Sequence, residues 1–414
     1  MTSTLKSRLH PATVVSAFLV ALFFAALWTA YGDIWLKDRN GLTRQTDFSN
    51  FYAAGRLVAD GRPADAYDEE IHARVQTEVL GEHARLRLPW AYPPPFLAVA
   101  RLLALTDYRT AYVVFAGVLL LFYGAVVATI AGRAEAALWG LAALPVLFNV
   151  WIGQNGALSA GLLGLGLVLL PKRPIMAGVA FGLLAYKPHF GVLIPLVLLS
   201  TGQWRAIIAA CGAIVVACVL SLVAFGIEPW SAFIGQLGHV SGGTVTTGGW
   251  GVTQKLQSVF GYLAVLGVPR PVALMVHAGM AIVIAIGVVG VWRSAVAHEL
   301  KAAALAVATL MMSPYQFSYD LLLLAIAAVF LVRSRMGASA AEGGTPWRVE
   351  LEVWLWLLVA NLVILSEPFT KLTTGLVGIM LVGACVARWI ALSPDVGYGF
   401  GWLRSKFDHV SGSA

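Results

Sequence analysis

The chain has 414 residues, of which 59% are hydrophobic and 12% charged, with a mean hydropathy of +0.79 and a net charge of +7. Surface-to-volume scaling leaves too many side chains outside for a soluble domain to hide that much apolar surface. A soluble enzyme, a disordered chain and a secreted disulfide scaffold are therefore excluded. Long unbroken apolar runs, in place of short alternating ones, argue against an outer-membrane barrel. The class that remains is an all-α polytopic membrane protein. Its basic excess is then a matter of distribution across a bilayer and predicts no nucleic-acid partner.

In chain order, Lys6 and Arg8 precede an apolar run from Val14 to Trp28 with no evident cleavage site, which predicts an uncleaved first span with its N-terminus inside. Candidate spans fall at 12–35, 109–131, 135–152, 156–171, 174–187, 188–201, 206–227, 271–292, 299–314, 317–333, 351–367 and 369–391, about twelve passes at roughly 20 residues or fewer each. The pair 174–187 and 188–201 reads equally as one long span broken at Lys187-Pro188, because proline disfavours helix at the residue before it. Short turns such as Pro171-Lys172-Arg173-Pro174 and Arg333-Ser334-Arg335 carry bases with no acid beside them, as cytoplasmic turns do. Everything to residue 391 is expected to form one transmembrane domain, followed by a cytoplasmic tail at 392–414; residues 336–346 read as a solvated connector.

The first external loop, 36–93, is too long for a plain connector and is expected to carry function. Within it, Phe48, Phe51, Tyr52 and Val58 recur at helical spacing, as do Ile71, Val75 and Val79, which predicts two amphipathic helices resting on the outer membrane face. Two short apolar stretches, 94–105 and 256–268, predict helices too short to cross. A second external loop over 228–270 begins with a Gly/Thr-rich segment, 228–255, expected to be mobile. Cys211, Cys218 and Cys385 all lie in apolar runs and predict small buried residues without a disulfide or metal role.

Polar residues from distant parts of the chain gather at the expected outer face: Asp47, Gln154 and Asn155, Lys187 and His189, Tyr319 and Asp320, and Glu367. A charge inside a bilayer costs at least ~2.5–3.5 kcal/mol, so Lys187 and Asp320 require partners, water or a polar ligand. Each residue has a plainer alternative. Asp47 would cap the helix starting at Phe48. Gln154 and Asn155 would satisfy a tight turn. Lys187 would snorkel to the headgroups. His189 and Asp320 would be structural partners, and Glu367 a rim residue.

The run Thr46-Asp47-Phe48-Ser49-Asn50-Phe51-Tyr52-Ala53-Ala54-Gly55, followed by Ala66-Tyr67, resembles the first external loop of glycosyltransferase family 87, which includes polyprenol-phosphate-mannose-dependent mannosyltransferases. Tyr92-Pro93-Pro94-Pro95-Phe96, Gly153-Gln154-Asn155-Gly156, Ala177-Gly178 running to Tyr186-Lys187-Pro188, and Ser313-Pro314 with Tyr319-Asp320 follow in the same order, so the likeness spans about residues 46 to 333. The resemblance implies a C-type glycosyltransferase fold in the inner membrane. It also implies sugar taken from a polyprenyl phosphate, and an acid of the first external loop, here Asp47, as catalytic base. The chain departs from the family pattern in carrying Asp320 where relatives have histidine.

The residues suit that chemistry. Asp47 is positioned to deprotonate an acceptor hydroxyl. Lys187, with Arg44 and Lys255 behind it, would hold the leaving phosphate. Gln154, Asn155, His189, Tyr319 and Asp320 are candidates for sugar or acceptor binding, and Tyr52, Trp90 and Trp250 for covering apolar sugar faces. The expected partners are a polyprenyl-phosphate sugar donor, a lipid or glycan acceptor and the bilayer, with no cofactor and no metal. The expected chemistry is hexosyl transfer, mannosyl among the options, on the external face with both termini cytoplasmic. The rivals are a secondary transporter or lipid flippase, whose charges would lie near the midplane between inverted repeats, and a non-catalytic envelope subunit.

Overall fold

The computed structural model describes residues 14–22, 25, 46–81, 88–246, 255–341, 355, 358–361 and 374–393, with the side chains of all of these except 238–246 and 335–341. Most of the expected spans 12–35 and 351–367, as well as Arg44, Trp250 and Glu367, lie outside the described residues. Among the described residues every regular element is helical, and one isolated antiparallel bridge joins Leu256 to Phe317.

The first external loop folds into α1 (Phe48–Ala59) and α2 (Glu69–Leu80). α2 fits the amphipathic expectation. Asp68 caps it by accepting from the N–H groups of Glu70 and Ile71, and only one face is buried. α1 does not rest on a surface. Phe48 through Gly55, Leu57 and Val58 are all buried. The small residues Ala53, Ala54 and Gly55 turn what looked like the polar side into a second packing face. A Cβ at Gly55 would collide with the Ala100 carbonyl oxygen of α3 (Leu97–Leu103). His72 fastens α2 to α1. Its Nε2 lies 3.2 Å from the Asn50 carbonyl oxygen, and Gln76 Nε2 lies 2.8 Å from its Nδ1 and 2.7 Å from the Leu88 carbonyl oxygen. We assign the Nε2–H tautomer, in which Nδ1 accepts from Gln76.

The long helices follow. α4 (Tyr108–Ala131) is capped by Asp107 and is long and apolar enough to cross a membrane. The expected span 135–152 is instead a bent pair, α5 (Ala137–Leu141) and α6 (Leu144–Ile152), inclined by 70°. Pro145 in the first turn of α6 starts a new helix there. α7 (Gly156–Leu169) then precedes α8 (Pro174–Leu183), α9 (Leu193–Ser200) and α10 (Trp204–Phe225). Gly178 lies against Ala206 and Ala209, and Gly182 against Ala210 and Ala213, so α8 and α10 run parallel. The chain must therefore reverse between them. The break at Lys187-Pro188 is the apex of a hairpin whose two arms, 174–186 and 188–200, are each shorter than a straight membrane span.

The segment expected to be a mobile loop begins as α11 (Glu228–Thr246). Trp230, Phe233, Ile234 and Leu237 repeat at helical spacing, which the neighbouring glycines obscured. Phe233 packs edge-on against Tyr67 of the first loop at 5.8 Å. Then come α12 (Val259–Val265), α13 (Arg270–Arg293), α14 (His298–Met312), α15 (Leu322–Ala341) and α16 (Gly375–Ala391). α15 extends through much of the stretch read as a connector.

The first half of α15, to Val332, is apolar and buried on every side, with no residue from Leu321 to Val332 more than 2% exposed. By contrast α10 and α13 expose Ile208, Val215, Leu220 and Val223, and Met275, Ile282, Val283 and Ile286. Cys211, expected to be buried, is exposed on α10. α4, α10 and α13 pass the length and apolarity required to cross, or four units if the α5–α6 pair is one broken span.

The bundle has two distinct poles. At one, Arg333 donates to the Ile130 carbonyl oxygen at the end of α4 (2.7 Å) and pairs with Glu299 at 3.4 Å, while His298 Nε2 lies 2.7 Å from the Leu167 carbonyl oxygen. The other pole carries the polar residues described below.

Two outcomes test this packing. Gly156→Ala places a Cβ against the Tyr319 carbonyl oxygen, so it is expected to cost about 1–3 kcal/mol in thermal unfolding of the detergent-solubilised protein. Burial also pushes the His72 imidazole down to about 4. The unfolded chain binds that proton first, so the stability from this contact is present above about pH 6.5 and lost as pH falls toward 4, roughly 3 kcal/mol in all. Protease cleavage of 60–90 should rise across that window in the wild type and be pH-insensitive in His72→Gln.

Candidate active site

Asp47 precedes α1 in the N-cap position but makes no side-chain cap; Asp68 and Asp107, in the same position on α2 and α4, do. The capping alternative for Asp47 therefore fails. Its backbone N–H donates to the Ile152 carbonyl oxygen at 2.8 Å, which ties the start of α1 to the end of α6. Its carboxylate accepts from Gln154 Nε2 at 2.8 Å.

Gln154 can face Asp47 because Gly153 turns the chain with φ +72°; a Cβ there would meet Phe48 and the Tyr112 ring at 2.7 Å. Thr46 and Tyr108 hydroxyls, 3.2 Å apart, and the edge-on contacts of Phe48 with Tyr108 and Tyr112 fix the same corner. Tyr92 donates to Gln154 Oε1 at 3.4 Å and is held by the Tyr67 hydroxyl on its own carbonyl oxygen at 2.9 Å. The prolines after Tyr92 place Phe96 between Tyr92 (4.8 Å) and Tyr186 (4.7 Å) in a stacked column. Asn155 is fully buried. Its amide reaches toward the Tyr92 hydroxyl and otherwise makes no hydrogen bond, and its carbonyl oxygen accepts from Tyr186.

Lys187 does not snorkel. Its ammonium is buried at the hairpin apex, 2.9 Å from Asp320 Oδ1, and lies over the rings of Tyr319 (5.1 Å) and Phe190 (5.6 Å). Asp320 sits in the turn before α15, brought there by Gly156, whose missing side chain lets the start of α7 touch the Tyr319 backbone. Lys255 is exposed, and both it and Lys187 act electrostatically on Asp47. Asp47 itself is half-buried. Burial raises its carboxyl above the ordinary carboxylate range, while the Gln154 hydrogen bond, Lys255 and Lys187 pull it back down.

Six of the residues singled out from the sequence thus lie around one pole: Asp47, Gln154, Asn155, Lys187, Lys255 and Asp320, with Tyr319 stacked on Phe317 at 5.4 Å beside them. His189 follows Lys187 and packs on Phe190 at 4.5 Å. Tyr52 is buried, with its hydroxyl donating to the Thr106 carbonyl oxygen at 2.8 Å and its ring against Tyr108, so it supports α1 and presents no face to a sugar. Trp90 is likewise fully buried, against Phe51, Tyr92 and Phe96. Three groups were missed from sequence: Tyr186, whose hydroxyl is 2.6 Å from Ser159, Gln316, and Gln257. The two glutamines were legible as amides standing beside short apolar stretches.

Removing either partner of the Lys187–Asp320 pair leaves a buried charge alone. Lys187→Ala or Asp320→Ala is therefore expected to cost about 3–5 kcal/mol in thermal unfolding, while Lys187→Met with Asp320→Leu should recover most of that loss.

Among the described residues, no group of three or more His, Cys, Asp or Glu is arranged to hold a metal ion. No curated protein and no solved structure matches the chain. The family model for glycosyltransferase family 87 matches residues 90–314, more than half of the chain, a region that holds Gln154, Asn155, Lys187 and Lys255 and stops short of Asp47 on one side and Asp320 on the other. The chain belongs to glycosyltransferase family 87, a family of membrane glycosyltransferases.

Proposed function

We propose that the protein transfers a hexosyl residue from a polyprenyl-phosphate sugar to a lipid or glycan acceptor at the external face of the inner membrane. The observation that carries this reading is the pairing of an uncapped, half-buried carboxylate with two lysines at one pole. Asp47 removes the proton of the acceptor hydroxyl, and the acceptor oxygen attacks the anomeric carbon. The bond from that carbon to the phosphate oxygen breaks with inversion, and the prenyl phosphate leaves as an anion stabilised by Lys255 and Lys187. Gln154 orients the Asp47 carboxylate, while Asn155 is fully buried and backs the site from within. The raised basicity that burial gives Asp47 suits a group that must accept a proton.

A lipid-linked donor is favoured by a groove of about 510 Å³ lined by Leu196, Leu274, Ala281, Ala285, Met312 and Pro314 among others. It starts beside the turn leading to Asp320 and follows α13 for roughly 16 Å, at 1.5 Å per residue, along a helix with an exposed apolar face. An external site is supported by the opposite pole, where the turns bearing Arg133, Lys172, Arg173 and Arg205 meet the ends of α4, α7, α8 and α10; such basic turns face the cytoplasm. About twelve passes remain the expected topology, with the 174–200 hairpin entering and leaving from the basic side.

The test is transfer of labelled sugar from prenyl-phosphate donors, with mannose tried first, by the purified protein. Asp47→Asn is expected to lower kcat about 10²- to 10⁴-fold with the melting temperature unchanged. Because the base must be ionised, wild-type activity should fall as pH drops through the raised Asp47 carboxyl range, an acid limb lying above that of an ordinary aspartate. Full activity in Asp47→Asn would sink the assignment.

A further inference from the structure

Gln316, in the turn between α14 and α15, is completely buried. Its carbonyl oxygen accepts from the Gln257 N–H at 2.6 Å, next to the Leu256–Phe317 bridge, so the segment bearing Lys255 hangs on this residue. Gln257 in turn accepts from the Gly375 N–H at 2.8 Å through its side chain, which anchors the segment to α16. The Gln316 side-chain amide donates to the Phe317 carbonyl oxygen at 3.3 Å, the same oxygen that accepts the Asp320 N–H at 3.1 Å, so it braces the turn whose carboxylate holds Lys187. One buried residue thus touches the supports of both lysines, its main chain carrying one and its side chain the other.

We propose that Gln316 is a positioning residue that sets the spacing of Lys187 and Lys255 so that both meet one phosphate group. This rests on the phosphate-binding role given to those lysines above. A neutral amide suits the task. It braces the turn that carries Asp320 without competing for Lys187, and it leaves the ion pair's charge balance unchanged. Asp320 can then tether the Lys187 ammonium while leaving its remaining N–H bonds for a ligand oxygen.

The experiment measures binding of sugar-free farnesyl phosphate to the full-length protein in detergent by calorimetry, alongside sugar transfer. Gln316→Ala is expected to weaken binding about tenfold, with kcat at saturating donor changed less than threefold. Gln316→Glu, nearly isosteric, should also weaken binding, because a second carboxylate draws Lys187 away from the ligand. Gln316→Ala added to the Lys187→Met, Asp320→Leu variant should cost no more than about a further twofold, since that variant already lacks the ammonium that the Gln316 side chain helps to place; a residue needed only for packing would give multiplicative losses. Binding by Gln316→Ala or Gln316→Glu within twofold of wild type, or multiplicative losses in the combined variant, would overturn the inference. Wild-type protein that binds farnesyl phosphate with this pattern yet moves no sugar would sink the transfer reading and leave the positioning role standing.

Discussion

The polar pole is organised around the ion pair between Lys187 and Asp320, at 2.9 Å and almost fully buried. Two charges taken out of water attract strongly but cost more to desolvate than a pair of apolar side chains would. Stability alone gives little reason to keep them. The pair does fix geometry: it joins the apex of the α8–α9 hairpin to the turn that opens α15, whose first half is buried on every side. An ammonium held this way is oriented at no entropic cost when an anion arrives.

The rest of the pole grows from close backbone approaches. Gly153 turns Gln154 toward Asp47, and Gly156 lets α7 touch the Tyr319 backbone beside Asp320. The carboxylate and the ion pair are thus carried on helix ends held at backbone contact, positions that flexible loops would not hold as closely. α1, expected to lie on a membrane surface, is instead enclosed, which gives Asp47 a rigid base and partial shelter from water. Partial shelter raises its basicity without sealing it from solvent.

Family membership fixes the class of chemistry, and the geometry adds to it. The family match lies between Asp47 and Asp320 in the chain, yet both are tied to matched residues, Asp320 to Lys187 through the ion pair and Asp47 to Gln154 through a hydrogen bond. Asp320 lies outside the matched region and is committed to Lys187. In the proposed mechanism Asp47 is therefore the base.

The sequence by itself determined the membrane class, most helix positions, the helix break at Lys187-Pro188, though not that it is a hairpin, and the identity of the polar residues that converge. Apolar runs and a buried-charge penalty are local properties and can be read from composition and spacing. Which face of α1 packs, that 228–246 is helical, that 135–152 bends and that Tyr52 serves the scaffold were decided only by tertiary structure. Small residues and glycines carry no hydrophobic signal of their own, so their packing shows only when a partner helix arrives. The partners of Lys187 and the linkage through Gln316 join residues far apart in the chain, and no spacing rule reaches that far.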